Sequence, residues 1–466
     1  MATPLAKLLS TPTPKRRWAQ FSLLTMLVVV TVLCVVLSLV VVPAERQRRA
    51  VAAIKVLGGS VDYVDVNWFV PREQRSKASR KPFLRRWLPW DYFDEVRRVH
   101  LGDSQVTDAG LSHLQGLTWL QSLFLNGTQV TGAGLAHLQG LKGLENIDLR
   151  DTQVGDDGLA HLQGLADLES LNLNGTQVTD AGLAHLQGLA DLESLNLNGT
   201  QVTDAGLAHL QGLTTLRFLN LSDTQVRDSG LAHLEGMTAL RVLCLDGTQV
   251  TDDGLARLQG LADLQALHLK RTQVTDAGLA HLHGLTGLQM LTLDGTQVTD
   301  SGLAHLQGLT GLEWLYFNNT QVTGAGLAHL EGLTVLRMLV LIGTQVGDDG
   351  LAHLQGLTGL EVLDLAGTQV TDTGLADLHG LARLEGLNLP NTQVTDSGLA
   401  HLQGLTTLRW LNLADTQVTD AGLAHLQGLT GLQCLVLEGT QVTGAGLGQL
   451  RQALPNCRVY KSTTQF

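Results

Sequence analysis

A 24-residue unit repeats along this chain with no insertion or deletion, and that periodicity constrains the fold more than any other signal in it. Its clearest copy, Leu168 to Asp191, reads LESLNLNGTQVTDAGLAHLQGLAD, and the stretch from Leu168 to Leu189 recurs identically from Leu192 to Leu213. With the Thr of TQV as marker, the series starts at Ser104, Thr128 and Thr152 and ends at Thr440, which makes 15 units. Within a unit, Leu171 and Leu173 alternate as a strand requires, with Asn172 on the opposite face. Thr179-Asp180 offers an N-cap, and Leu183, Leu186 and Leu189 follow at helical spacing. Each unit therefore reads as a short strand and a short helix. A unit this small cannot offset its own ordering entropy, so it folds only by stacking on copies of itself, strand beside strand in a parallel sheet.

Three positions carry further local expectations. Thr176 sits where the chain leaves the sheet, and a stacked Thr ladder would satisfy the backbone groups exposed there. Gly188, matched by Gly in 14 units, falls where a helix C-terminus wants a left-handed residue. Gly182, matched in all 15, lies inside the first turn. Glycine costs about 1 kcal/mol there relative to Ala, which points to a close backbone approach.

The pattern Leu168-x-x-Leu171-x-Leu173-x-x-Thr176-x-Val178-Thr179-Asp180-x-Gly182-Leu183-x-x-Leu186 resembles the leucine-rich repeat, in the variant with a V-T-D-x-G-L segment. The resemblance covers roughly residues 96–454 and differs from the commonest pattern in placing Thr, not Asn or Cys, at the bend. It implies an α/β solenoid, or horseshoe, of 15 strand-helix units with a cap at each end.

Residues 1–20 form a short basic tail ending in Lys15-Arg16-Arg17-Trp18 and two more residues. Phe21 to Val42 follows without a single charged side chain, long enough to cross a bilayer as one helix. A cleaved signal peptide is the alternative, with Val42-Pro43-Ala44 as a weak cleavage motif, but apolar cores of such peptides run only about 7 to 15 residues. Basic residues flank the span on both sides, so the positive-inside rule is balanced. A long downstream domain can translocate regardless of charge, which favours repeats on the non-cytoplasmic side.

Residues 43–95 read as stalk and N-terminal cap: an amphipathic helix over 44–57 ended by Gly58-Gly59, an alternating strand over 61–66, and a basic run from Arg72 to Arg86 that could meet anionic lipid. Residues 455–466 break the period and form a C-terminal cap, with Cys457 to Tyr460 as a last strand. The N-terminal layout is similar to that of bacterial single-span leucine-rich-repeat proteins.

Charge is divided unevenly. Residues 1–100 carry 17 basic and 7 acidic side chains, and residues 101–466 carry 14 and 36, so the front is +10 and the repeats −22. A surface this acidic without a basic stripe excludes nucleic acid as a partner. Cys34, Cys244, Cys434 and Cys457 show no disulfide or metal spacing, and no cofactor is implied. A histidine such as His185 or His209 occupies one helical position in 12 units. Neighbouring helices stand about 8–10 Å apart, too far to share a metal held at about 2 Å, so these read as solvated positions copied by duplication. No G-x-S-x-G, Walker, HExxH or CxxC motif occurs, and the chain is read as no enzyme.

What varies carries the functional information. Six residues before the marker, the outward strand position reads Phe218, Val242, Ala266, Met290, Trp314, Met338, Val362, Gly386, Trp410 and Cys434 in consecutive units. Four before the marker, Tyr316 and Val340 stand beside that row, followed by Ile342. Strands stack about 4.8 Å apart, so Met290, Trp314, Tyr316, Met338, Val340 and Ile342 should form one patch on the concave face. An exposed aromatic and Met cluster is the composition of a protein-binding hot spot, with Phe218 and Trp410 extending it. The expected partner is a protein or peptide, with the lipid bilayer a second one through residues 21–42. A structural or adhesive spacer is the competing reading, and a substrate-recognition subunit like the F-box relatives is a further one, although no F-box-like helices precede the repeats.

Overall fold

The computed structural model describes residues 23–63 and 95–461. Helix α1 spans Leu23–Val36, a π-helical turn spans Leu37–Val41, and α2 spans Val42–Val56. Strand β1, Ser60–Tyr63, runs antiparallel to β2, Val96–His100. From β2 onward each strand pairs in parallel with that of the next unit, in one 17-stranded sheet. It ends at β16, Cys434–Val436, and the cap strand β17, Arg458–Tyr460.

A strand is only three residues long in most units, for example Ser170–Asn172, with its central Leu buried and its flanks half-buried. The short helix of each unit is one α-turn, Asp180–Leu183, continued by one 3-10 turn, Ala184–Leu186. Leu168, Leu171, Leu173, Val178, Leu183, Leu186 and Leu189 are all buried, and their equivalents merge into one core running the length of the sheet. Sheet spacing of about 4.8 Å is less than packed helical segments need, which puts the sheet on the inner, concave side.

The caps follow the same apolar logic. Helix α2 buries Ala50, Val51 and Ile54 against the first unit, and Gln47 Oε1 accepts a hydrogen bond from the Val96 amide at 3.3 Å. Gly58, at φ 85°, ends it as expected. The expected strand over 61–66 starts at Ser60 and is seen to Tyr63, while residues 64–66 and the basic run 72–86 lie outside the described residues. At the other end, Lys461 Nζ donates to the Thr440 carbonyl at 2.8 Å.

The single membrane-crossing helix expected over 21–42 is not what the structure shows. Among the described residues no helix is long and apolar enough to cross a membrane. The apolar run is divided instead, because α1 gives way to the π-helical turn at Leu37 and α2 already begins at Val42. Phe21 and Ser22 lie outside the described residues.

Two local expectations are also corrected. The marker Thr does not form a ladder between units: Thr176 Oγ1 donates to Leu173 O of its own unit at 2.6 Å, and the buried markers elsewhere do the same. The left-handed residue is not Gly188, and among its equivalents only Gly164, at φ 107°, is left-handed. The recurring one is the residue before the marker, which has positive φ in every unit: Gly in eight and Asp, Asn or Arg271 in the rest. At Gly188 the chain continues through successive i to i−3 turns, Leu189 to Leu186 and Leu192 to Leu189, so no left-handed cap is required.

The T-D-x-G-L segment instead makes a clasp between neighbouring units. The Asp180 carboxylate reaches forward and accepts from the Thr203 amide at 2.7 Å and from its hydroxyl at 2.6 Å, while that hydroxyl accepts from Ala205 N at 3.3 Å. Gly206 makes room for it, since a Cβ there would stand 2.4 Å from Asp180 Oδ1. Where Arg227 replaces the Thr, Asp204 still accepts from its amide and takes the Ser229 hydroxyl instead, and at two other junctions both partners are lost together. Gly132 and Gly324 replace the Asp of their units, and Gly155 and Gly347 replace the Thr of the units that follow. At both junctions the backbones close in, Thr131 bridging to Gln153 and Thr323 to Gln345. At the last clasp, the Thr443 hydroxyl and amide hold the Asp420 carboxyl below its usual value. A depressed carboxylate pKa contributes stability above the unfolded value and loses it as pH falls through the folded one.

The clasp predicts that Asp180→Ala and Thr203→Val are non-additive, with a coupling of about 1 kcal/mol in a thermal-unfolding double-mutant cycle; additive effects would refute it. The glycines predict opposite outcomes by the same measurement. Gly188→Ala, whose Cβ meets nothing within 4 Å, should stabilise by about 0.4–1 kcal/mol. Gly182→Ala, whose Cβ would stand 2.5 Å from Asp156 Oδ1, should destabilise by about 1–3 kcal/mol.

Candidate functional site

The outer surface of the sheet is built from two side chains per strand, because the residue between them is always committed to the core. In the middle of the sheet these positions belong to β10, Met290–Thr292, β11, Trp314–Tyr316, β12, Met338–Val340, and β13, Val362–Asp364. Their register is direct: Met290 pairs with Trp314, Trp314 with Met338 and Met338 with Val362, while Thr292, Tyr316, Val340 and Asp364 form the adjoining row. Five of the six residues expected to cluster are therefore brought together, and Ile342, beyond the end of β12, is placed only by its amide, which donates to Asn318 Oδ1 at 3.0 Å. Tyr316 Oη donates to Met338 Sδ at 3.0 Å, tying the two rows to each other.

The members differ in what they offer. Met290, Trp314, Tyr316, Met338 and Ile342 are half-buried, each leaving part of its side chain on the open face. Val340 is only 7% exposed, lying between Tyr316 and Asp364, so it supports the patch and presents little surface of its own. Phe218 and Trp410 are not in the cluster. Each lies four strands from Trp314, Phe218 linked through Val242 and Ala266 and Trp410 through Val362 and Gly386, in one unbroken in-register row.

A polar, titratable group borders the patch on one side. Burial pushes the Asp294 carboxyl up, against the Asn318 amide that donates to it at 2.9 Å, and burial pushes the His268 imidazole down despite Asp246 and Asp294 beside it. Burial, with Asp294 adding to it, raises the Tyr316 phenol. These groups are thus held towards their neutral forms, in keeping with a low-dielectric surface. Among the described residues no three His, Cys, Asp or Glu side chains are placed to hold a metal ion.

Comparison with known proteins is decisive for the scaffold. A family model described as leucine-rich repeat matches residues 165–186, 189–210, 212–234, 357–378 and 404–426. The chain is built of leucine-rich repeats. Among solved structures, an internalin from Listeria monocytogenes is 28% identical, over 72% of this chain and 89% of that one, with a TM-score of 0.57. A leucine-rich-repeat protein from Leptospira interrogans is 18% identical, over 76% and 94%, with a TM-score of 0.56, a likeness of fold alone. No curated protein matches the sequence.

These leucine-rich repeats also carry features that periodicity did not reveal. The histidine row is a second tie between units: Gln187 Nε2 lies 2.9 Å from His209 Nδ1, Gln211 is 2.8 Å from His233, and Glu331 replaces Gln at 2.8 Å from His353. The signal for it was present, since each of these imidazoles answers a Gln or Glu at a fixed place in the preceding unit. On the sheet face, Asp364 and Asn388 form a polar pair that sequence reasoning missed, with Asn388 Nδ2 donating to Asp364 Oδ2 at 2.6 Å. Pro390, two residues on, was the available clue.

Cys244 lies on this face near Asp246, and burial first, then that carboxylate, pushes its thiol up to about 12. Because the thiolate is the nucleophile, it forms only as pH approaches that value. Iodoacetamide at pH 8 should therefore leave Cys244 unmodified in the folded protein and alkylate it in denaturant, read by peptide mass spectrometry. Equal labelling in both states would refute the buried placement.

Proposed function

We propose that this leucine-rich-repeat protein binds a protein or peptide segment, without catalysis, on the concave sheet face, with Trp314, Tyr316 and Met338 as anchors. One observation carries the reading: an in-register row of large apolar side chains, only half-covered, on a face against which nothing else in the described chain packs. Such surface is costly in water and is the composition found at the energetic centres of interfaces. Absence of catalysis is inferred from the repetition itself, since most polar positions recur from unit to unit where an active site needs a unique arrangement.

We further propose that residues 21–42 tether the repeats to a lipid bilayer, with the repeats on the non-cytoplasmic side. Met26, Val29 and Leu33 on α1 are exposed apolar side chains. The apolar run is helical in two pieces, α1 and the π-helical turn, which together would extend about 28 Å at about 1.5 Å per residue.

A spacer role is the second reading, favoured by the identical units over 168–213, whose open face bears only Ser and Asn. The two are separated by a crosslinking pull-down from native cells, comparing the intact chain with Trp314→Ala, Tyr316→Ala, Met338→Ala after circular dichroism has shown that both fold. A partner recovered by the first and lost by the second is the expected result. Recovery of the same proteins by both would leave the spacer reading standing.

A further inference from the structure

Asn388 is the exception in a row that is otherwise self-satisfied. At its strand position, Asn or Asp in other units accepts a hydrogen bond from the backbone N–H two residues on: Asn220 Oδ1 from Ser222 at 2.9 Å, Asp364 from Ala366 at 3.0 Å and Asn412 from Ala414 at 3.0 Å. In the unit of Asn388 that residue is Pro390, which has no N–H to give. Asn388 Oδ1 is consequently the one buried side-chain nitrogen or oxygen among the described residues without a partner, in a residue only 8% exposed. A buried acceptor without a donor is unfavourable, so an occupant that brings one is selected.

Its surroundings define that occupant. The side chain's other end, Nδ2, is spent on Asp364 Oδ2, and among the described residues Asp364 is engaged only by Asn388 and Ala366. No cation of the described chain neutralises it. Strand β14, Gly386–Asn388, has no side chain in the apolar row, and Val362 and the Trp410 ring close over the buried Gly386: a Cβ there would lie 3.4 Å from the first and 3.5 Å from the second. A carboxylate and an orphaned amide oxygen thus lie side by side, with the Trp410 ring over Gly386 in the adjoining row.

We propose that Asp364 and Asn388 receive a basic side chain, Arg or Lys, of an extended peptide whose apolar residue rests on Trp314 and Tyr316. The inference rests on the concave-face reading above and adds the chemistry of its ligand. A guanidinium or ammonium has donors for both oxygens and no acceptor to leave unsatisfied. The repeats' charge of −22 favours the approach of such a ligand. Two strands separate Trp314 from Asp364, about 10 Å, which an extended peptide covers in about three residues.

The probe is a library of random dodecapeptides displayed on phage and selected against the full chain in detergent, with selected sequences then synthesised. Binders should carry Arg or Lys about three residues from a large apolar residue. Replacing Arg by citrulline, or Lys by norleucine, should weaken them about tenfold, and Asp364→Asn should do the same. Pro390→Ala, which gives Asn388 a backbone donor of its own, should weaken binding while leaving circular dichroism unchanged. Binders indifferent to citrulline and to Asp364→Asn, but lost on Trp314→Ala, overturn this inference and leave the concave-face reading intact. Binders indifferent to Trp314→Ala as well, or a selection yielding none, overturn both.

Discussion

No unit of this protein can satisfy itself, and every other property of the fold follows from how its neighbour completes it. The leucines and valine that one unit turns inward form only one layer of a core, and a three-residue strand leaves its amides and carbonyls facing outward. The next unit supplies both, through Leu against Leu and through a parallel ladder such as Leu173 N to Asn196 O at 2.8 Å. The Asp180 carboxylate performs the same service on the turn side. It serves two donors of Thr203, one of them an amide the α-turn leaves without an intrahelical partner. A solenoid made this way has stability distributed over its junctions and needs its ends closed, which α2 with β1 and the strand β17 accomplish.

Dependence on neighbours also determines where the chain is free to vary. Inward Leu, clasp Asp, clasp Thr and the clasp Gly are each fixed by a partner in the adjacent unit, as the paired losses at Gly132 with Gly155 and Gly324 with Gly347 show. The outward strand positions have no partner that recurs at every junction, and contacts there such as Tyr316 to Met338 and Asn388 to Asp364 each belong to one place in the stack. It is there that Ser and Asn of the early units give way to Phe218, Met290, Trp314 and Trp410, and that Pro390 removes the amide its neighbours use. Specific chemistry accumulates on the sheet face because a change there costs the stack little.

The same division separates what could be read in the sequence from what could not. Strand, turn, core leucines and parallel stacking were legible because each is a consequence of spacing, and the row through Met290, Trp314 and Met338 was legible because zero insertions make register a matter of counting. The errors concern rotations and reach. Leucines three apart fit both α and 3-10 turns, so the spacing marked a short helix without showing that it passes from an α-turn into a 3-10 turn. Gly188 has the right neighbours for a left-handed cap, but the positive φ lies before the marker Thr, where the chain turns out of the sheet.

Sequence alone therefore determined the period, the number of units, the faces of each strand and which residues would be neighbours across the sheet, because these depend only on separation along the chain. Tertiary structure alone decided what those neighbours do to one another. It showed that Asp180 serves Thr203 and not its own helix, that Val340 is covered while Trp314 is only half-buried, and that Asn388 is left with an unmet acceptor. The physical reason is that hydrogen bonds and burial depend on side-chain direction and on distances of a few ångströms between different units, and periodicity fixes only the units.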